Sequence, residues 1–308
     1  RIAIEVNDQR VVDALMDAPE KTFPIFSSDT AQEVSVRIIK LSESAMSTCA
    51  IKMIYADTEG GLQPAAAKAR RIEVVGDSIT CGYGTDDLDG EHHFVTGTED
   101  TTKAYAYKTA QALDADYSLV SLSGYGIISG YTDTAKEKVD QILPKYYDKL
   151  GFSYGSYLGM QPQEVAWHFG YEPELIVINL GTNDDSYCLD HADRQLDYRQ
   201  NYTAFLKKVR SHNPEAKILC VLGMMGDRTG EETLLAKFKS SSWDRGWNYR
   251  GMSQFMRSVS WTDSYAIALG RAHSLAAREA LDAKAAELTA DMHYSHFRAL
   301  ALAYEGIG

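Results

Sequence analysis

Positive charge is scarce in this sequence. Thirty-one Lys and Arg stand against 43 Asp and Glu, a formal net charge of −12 over 308 residues. Binding a phosphate backbone or an anionic bilayer surface needs a basic face, so neither nucleic acid nor membrane is an expected partner. No uncharged apolar run approaches the roughly 18 residues of a bilayer-spanning helix. Cysteine is sparse too. Cys49, Cys81, Cys188 and Cys220 form no Cys-x-x-Cys pair, which argues against a zinc ribbon, a dithiol redox motif or a disulfide scaffold. Internal repeats and low-complexity tracts are missing. What remains is an ordinary globular composition, 44% hydrophobic and 24% charged, long enough for one large core or a core with a small module.

The pattern of that hydrophobicity changes along the chain. Residues 1–66 read as β-rich. Ile2, Ile4 and Val6 alternate with other residues, as do Val34, Val36 and Ile38, and then Ile51, Met53 and Tyr55; period-2 alternation predicts strands with one buried face. Asp57-Thr58-Glu59-Gly60-Gly61 is a turn cluster, and residues 64–70 read as a connector. From Arg71 short apolar strands alternate with helical stretches: 72–75, 117–122, 175–180 and 217–222 as strands, and 101–113, 202–209 and 266–288 as helices. That alternation predicts a parallel, doubly wound sheet. The expected division is a β-rich accessory module over 1–66 and a catalytic domain over 67–308.

Three segments carry chemistry. Val74-Val75-Gly76-Asp77-Ser78-Ile79-Thr80 puts a serine directly after a buried strand, at the carboxyl edge where α/β folds place ligands. Gly76 permits a tight turn, and N–H groups at a helix start there would stabilise an oxyanion; the plainer reading makes Ser78 a helix N-cap. Asn179-Leu180-Gly181-Thr182-Asn183-Asp184 ends another buried strand. Its Asn183 amide is a candidate donor to the same cleft, or part of an Asx-type turn. Asp291-Met292-His293 near the C-terminus pairs a carboxylate with an imidazole, as a general base requires, or forms a loop before a terminal helix.

In that order the three resemble the SGNH (GDSL-type) hydrolase superfamily. The resemblance implies Ser78 as nucleophile, His293 as base, Asp291 as its orienting acid, and an oxyanion hole from the Ser78 N–H, the Asn183 side chain and a glycine N–H. In Ser121-Leu122-Ser123-Gly124-Tyr125-Gly126 that glycine is Gly124, with Gly126 as the alternative. The run from Arg71 to Gly84 is similar to carbohydrate esterase family 2, the two-domain acetyl esterases of polysaccharides. So are Ser123-Gly124-Tyr125-Gly126 and residues 173–184, 202–214 and 221–226, while residues 36–43 resemble the end of that family's N-terminal β-sandwich. The implied fold is an α/β SGNH-type (flavodoxin-like) α/β/α sandwich behind a partial β-sandwich. The implied activity is deacetylation of polysaccharides or oligosaccharides by a secreted serine esterase with no metal or other cofactor, its leader absent from this chain.

The sequence departs from that family where Asp291-Met292-His293-Tyr294 replaces its usual Asp-Trp-His-Pro, and residues 227–290 match nothing in it. His273 is an alternative base inside a helical pattern, and His296 a helix-face residue. His92-His93 lies in a polar loop, and Asp190-His191-Ala192-Asp193 is a metal-like cluster better read as a solvated helix start. Trp243, Trp247 and Trp261 are read either as a sugar-stacking platform or as core. Two other functions share these motifs: a lipase or thioesterase for longer acyl chains, and a carbohydrate-binding protein with a degenerate site.

Overall fold

The computed structural model describes residues 1–89, 92–156, 159–189, 191–221, 228–243 and 260–308. Two sheets organise the first two thirds. A three-stranded antiparallel sheet, β1 (Ile2–Val6), β2 (Gln9–Ala14) and β3 (Val36–Lys40), has the order β2-β1-β3. A four-stranded parallel sheet follows, from β4 (Arg70–Gly76), β5 (Ala115–Ser121), β6 (Leu175–Asn179) and β7 (Lys217–Cys220), in the order β5-β4-β6-β7. The doubly wound alternation expected from the sequence is therefore present. Helices α1 (Ser78–Cys81), α2 (Tyr105–Ala112), α3 (Thr182–Cys188) and α4 (Ala192–His212) belong to this sheet's crossovers and edges.

The parallel sheet buries both faces. Val75, Ile176 and Ile178 pack with Leu122, Tyr147, Phe205 and Val209 in one layer, while Ile72 and Val74 pack with Ala106 and Ala115 in another. This is why β4 and β6 read as nearly continuous apolar runs. The antiparallel sheet joins the same body through Ala3, Ile39 and Leu41, which pack on Tyr107 of α2 and Tyr117 of β5.

Three sequence expectations need correction. In β3 the alternation is real but its phase is reversed: Val36 and Ile38 are exposed and Ile39 is buried, because the face turned to α2 is the Ile39 face. Ile51, Met53 and Tyr55 form no strand and are exposed; the alternation there meets no partner edge with which to pair. The helix expected over 266–288 is two helices, α6 (Trp261–Arg271) and α7 (Arg278–Ala286), broken at His273 with φ 52°. With α5 (Arg228–Ser240) and α8 (Tyr294–Ile307) they enclose a separate core of Phe238, Trp243, Leu269, Leu281 and Leu300.

Candidate active site

Strand register brings the candidate segments level. Gly76, the last residue of β4, pairs with Ser121 of β5 on one side and Asn179 of β6 on the other. The three chains therefore leave the sheet at the same height, at its carboxyl edge, where ligands of open α/β sheets bind. From β4 the chain enters Asp77 and the one-turn helix α1. Asp77, rather than Ser78, is the N-cap: its carboxylate accepts the Ile79 N–H at 3.0 Å. Gly76 has no room for a side chain, since a Cβ there would meet Thr80 Oγ1 at 2.0 Å. That close approach folds α1 back over the strand end. Thr80 Oγ1 lies 3.0 Å from the Tyr105 hydroxyl, which accepts from Asn179 Nδ2 at 3.2 Å, so Tyr105 of α2 ties the ends of β4 and β6 together. Ser78 is left partly exposed. Among the described residues neither its Oγ nor its N–H bonds to a protein group.

The loop after β5 is almost completely committed. Within residues 122–132 the N–H of Leu122 goes to the Gly76 carbonyl, Ser123 to Glu43, Tyr125 to Leu122, Gly126 to Gln141, Gly130 to Lys138, Tyr131 to Gly124 and Thr132 to Ser186 Oγ. Ile127, Ile128 and Ser129 all donate to the Asp184 carboxylate, at 2.7–3.1 Å. The exception is Gly124, whose N–H finds no protein acceptor among the described residues. Its φ of 80° lies in the left-handed region that glycine tolerates. Gly126 has a different task. A Cβ there would sit 2.5 Å from Asp184 Oδ2, so its smallness lets the aspartate reach the loop.

Asn183 and Asp184 open α3 after β6. Asn183 Nδ2 donates to the Tyr125 carbonyl at 2.8 Å and lies 3.5 Å from Asp77 Oδ2. The predicted Ser78 segment, Gly124 loop and Asn183 are thus joined through direct contacts of Asn183 with the other two. Burial pushes the Asp77 carboxyl up to about 6, against the pull of the Ile79 N–H. Sequence reasoning did not single out Asp184; its signal was a second acid, adjacent to Asn183, at the end of an apolar strand.

The C-terminal residues are placed differently. His293 is the N-cap of α8; its Nδ1 accepts the Ser295 N–H at 3.2 Å and lies 3.0 Å from Ser295 Oγ. It makes no hydrogen bond to Ser78. Asp291 is exposed and bonded to Thr289, which holds its carboxyl below the ordinary range, and it does not bond His293. His273 Nδ1 donates to the Gly306 carbonyl and so serves the packing of α6 on α8. His296, read as a helix-face residue, is fully buried. Its Nδ1 meets Asp263 Oδ1 at 2.6 Å, while Asp263 also accepts from Ser295 Oγ at 3.0 Å. Trp243 is core, its indole N–H on the Lys284 carbonyl, and Trp261 is exposed and stacked on Tyr265. Trp247, Asp190 and residues 222–226 lie outside the described residues.

One further cluster lies behind the edge. Glu43, Cys81 and Glu99 bring ligand-type atoms within 4.8 Å of one another, all buried. Burial, reinforced by Glu43, pushes Glu99 up to about 8, and burial drives the Cys81 thiol well above its usual range.

Residues 74–248 match the model of the GDSL-like lipase/acylhydrolase family. An acetylxylan esterase/glucomannan deacetylase of Cellvibrio japonicus (strain Ueda107) is 31% identical over 193 residues, 60% of this chain and 51% of that protein. A second protein of that description from the same organism is 33% identical over 219 residues, 69% and 56% of the two chains. This chain therefore spans about half the length of the curated relatives it matches. The solved acetyl xylan esterase Est2A of the rumen bacterium Butyrivibrio proteoclasticus is similar in structure, with a TM-score of 0.60 at 25% identity, over 73% of this chain and 66% of that one.

Proposed function

We propose, because this chain belongs to the GDSL-like lipase/acylhydrolase family, that it is a serine esterase removing O-acetyl groups from polysaccharides or oligosaccharides. The observation that carries the reading is the set of unspent groups at the sheet edge. Among the described residues the Ser78 hydroxyl, the Ser78 N–H and the Gly124 N–H lack protein partners, beside a loop whose other N–H groups are all engaged. Free donors held by rigid surroundings are what a developing oxyanion requires. Acetyl ester as substrate is supported by the relatives named acetylxylan esterase.

In this mechanism Ser78 Oγ attacks the acetyl carbon and the alkoxide-like oxygen settles on the N–H groups of Ser78 and Gly124 and on the Asn183 amide. A histidine takes the serine proton, passes it to the departing sugar hydroxyl, and then activates the water that releases acetate. We assign that role to His293, on the order of motifs in the chain; Asp291, expected to orient it, would have to leave Thr289 to reach its Nδ1. A secreted protein with an accessory module over 1–66 and a catalytic domain over 67–308 belongs to the same reading.

A second reading is favoured by the bonds of His293. Its Nδ1 accepts a backbone N–H, which leaves the neutral ring's proton on Nε2 and gives the nitrogen a serine would face no lone pair. A carbohydrate-binding protein with a degenerate hydrolytic site fits that state. Turnover of p-nitrophenyl acetate, butyrate and octanoate decides. Acetate preference is the expected outcome, octanoate preference overturns it in favour of a lipase, and no turnover of any ester overturns it in favour of the binding protein.

A further inference from the structure

Glu43 lies beyond β3, outside the parallel sheet, yet its carboxylate reaches the edge of the site. Oε2 accepts the Ser123 N–H at 2.7 Å, and Ser123 is the residue before Gly124. The backbone around Glu43 is held on both sides. Its N–H donates to Glu99 Oε2 at 3.1 Å, its carbonyl accepts from Lys40 Nζ at 2.9 Å, and two residues earlier the Leu41 carbonyl accepts the Thr101 N–H at 3.0 Å. Glu43 is 7% exposed and Glu99 0%. A charged group in such a place is costly to keep unless its bonds repay the lost hydration. Packing alone would be served better by an apolar side chain.

The loop explains what the carboxylate is for. Gly124 has no atom near its Cβ position and a φ that side-chain-bearing residues rarely adopt, so it brings no side-chain packing of its own to fix the adjoining peptides. Hydrogen bonds must hold them. On the far side Tyr131 N–H donates to the Gly124 carbonyl at 2.8 Å; on the near side the anchor is Ser123 N–H on Glu43. Without it, the 122–123 peptide keeps only the Tyr125 N–H on its Leu122 carbonyl, and Ser123, whose ψ aims the Gly124 N–H, loses its own anchor.

Resting on the esterase reading above, we infer that Glu43 is a positioning residue: from the N-terminal segment it clamps Ser123 so that the Gly124 N–H stays aimed at the forming oxyanion. It touches no substrate. Burial raises the Glu43 carboxyl, and the Ser123 N–H and Lys40 oppose that. Glu99, whose carboxylate holds the Glu43 N–H, is itself pushed up to about 8 by burial and by Glu43.

The test is steady-state kinetics on p-nitrophenyl acetate with the unmodified chain, Glu43→Ala and Glu43→Gln. Glu43→Ala should lower kcat about 10–100-fold with KM within about twofold, because the loss falls on a donor that acts in the transition state. Glu43→Gln keeps an oxygen for the Ser123 N–H and should recover most of that loss. A folded Glu43→Ala enzyme with unchanged kcat, a loss confined to KM, or equal losses in both variants overturns the inference while leaving the esterase reading intact. An unmodified chain without turnover overturns both. If Glu43→Ala does not fold, amide exchange in the unmodified protein decides: a Ser123 N–H exchanging as fast as free loop backbone overturns the clamp, and a protected one supports it.

Discussion

The carboxyl edge of the parallel sheet and the α6–α8 contact each bury an aspartate, and they treat it in opposite ways. Asp263 is saturated: it accepts the Ser260 N–H at 3.2 Å, Ser295 Oγ at 3.0 Å and His296 Nδ1 at 2.6 Å, and its side chain closes a capping box on α6. Asp77 receives the Ile79 N–H at 3.0 Å and a long approach from Asn183 at 3.5 Å, and its carboxyl is driven up to about 6. Around Asp263 the polar groups bond one another; at the sheet edge, two backbone donors and a hydroxyl stay uncommitted among the described residues. A fully satisfied buried network specifies packing, whereas unspent donors in a rigid frame are available to a ligand. The difference separates an acid–imidazole pair that looks catalytic in isolation from a site without any histidine bonded to its serine.

Breaking the comparison at its strongest point gives the largest effect. Ser78→Ala should lower kcat at least about a thousandfold while circular dichroism and melting temperature stay unchanged. Next comes the base. His293→Ala should cost nearly as much as Ser78→Ala, since nucleophile and base act as one unit. His296→Ala should instead lower the melting temperature, by stranding Asp263, and leave kcat of the folded protein within a few-fold. The reverse pattern would place the active imidazole in the helical cluster. Asn183→Ala is expected to reduce kcat roughly 10²–10³-fold with little change in KM. A change confined to KM would make it a substrate contact.

The smallest effect concerns the acids behind the edge. Glu99 stands near 8 against an ordinary value of 4.5, so between those values the folded protein keeps a proton that the unfolded chain has released. Stability therefore falls as pH rises through that window and levels off above it. Melting temperatures from about pH 5 to pH 9 should decline, and Glu99→Gln should flatten most of that decline. An equal slope in both proteins would assign it to other groups.

Much of the sheet was readable in advance because burial on both faces leaves an unbroken apolar signature, as in residues 72–75 and 175–180. The turn after β4 was readable because Gly76 is needed there for a short-range reason, the close approach of Thr80, whereas Asn183 serves partners as distant as Tyr125 and Asp77. Strand phase was not: Val36 and Ile38 alternate like core residues, and only the position of α2 decides that Ile39 is the buried one. The helix predicted over 266–288 hid its break at His273, since alanine-rich helical spacing continues across it while the chain turns to bring α7 and α8 together. Glu43, Glu99 and Asp184 gave no periodic signal, because a buried acid is recognisable only from what it bonds.

By itself, then, the sequence determined the alternation of strands and helices and the placing of Ser78 and Asn183 after buried strands, since both follow from local hydrophobic period and turn chemistry. Tertiary structure decided which glycine N–H stays free and which imidazole meets which acid. Those outcomes depend on groups far apart in the chain, such as Glu43 with Ser123, Asp184 with the loop after β5, and Asp263 with His296. A hydrogen bond has no periodicity to betray it; it exists only once folding has set donor and acceptor about 3 Å apart.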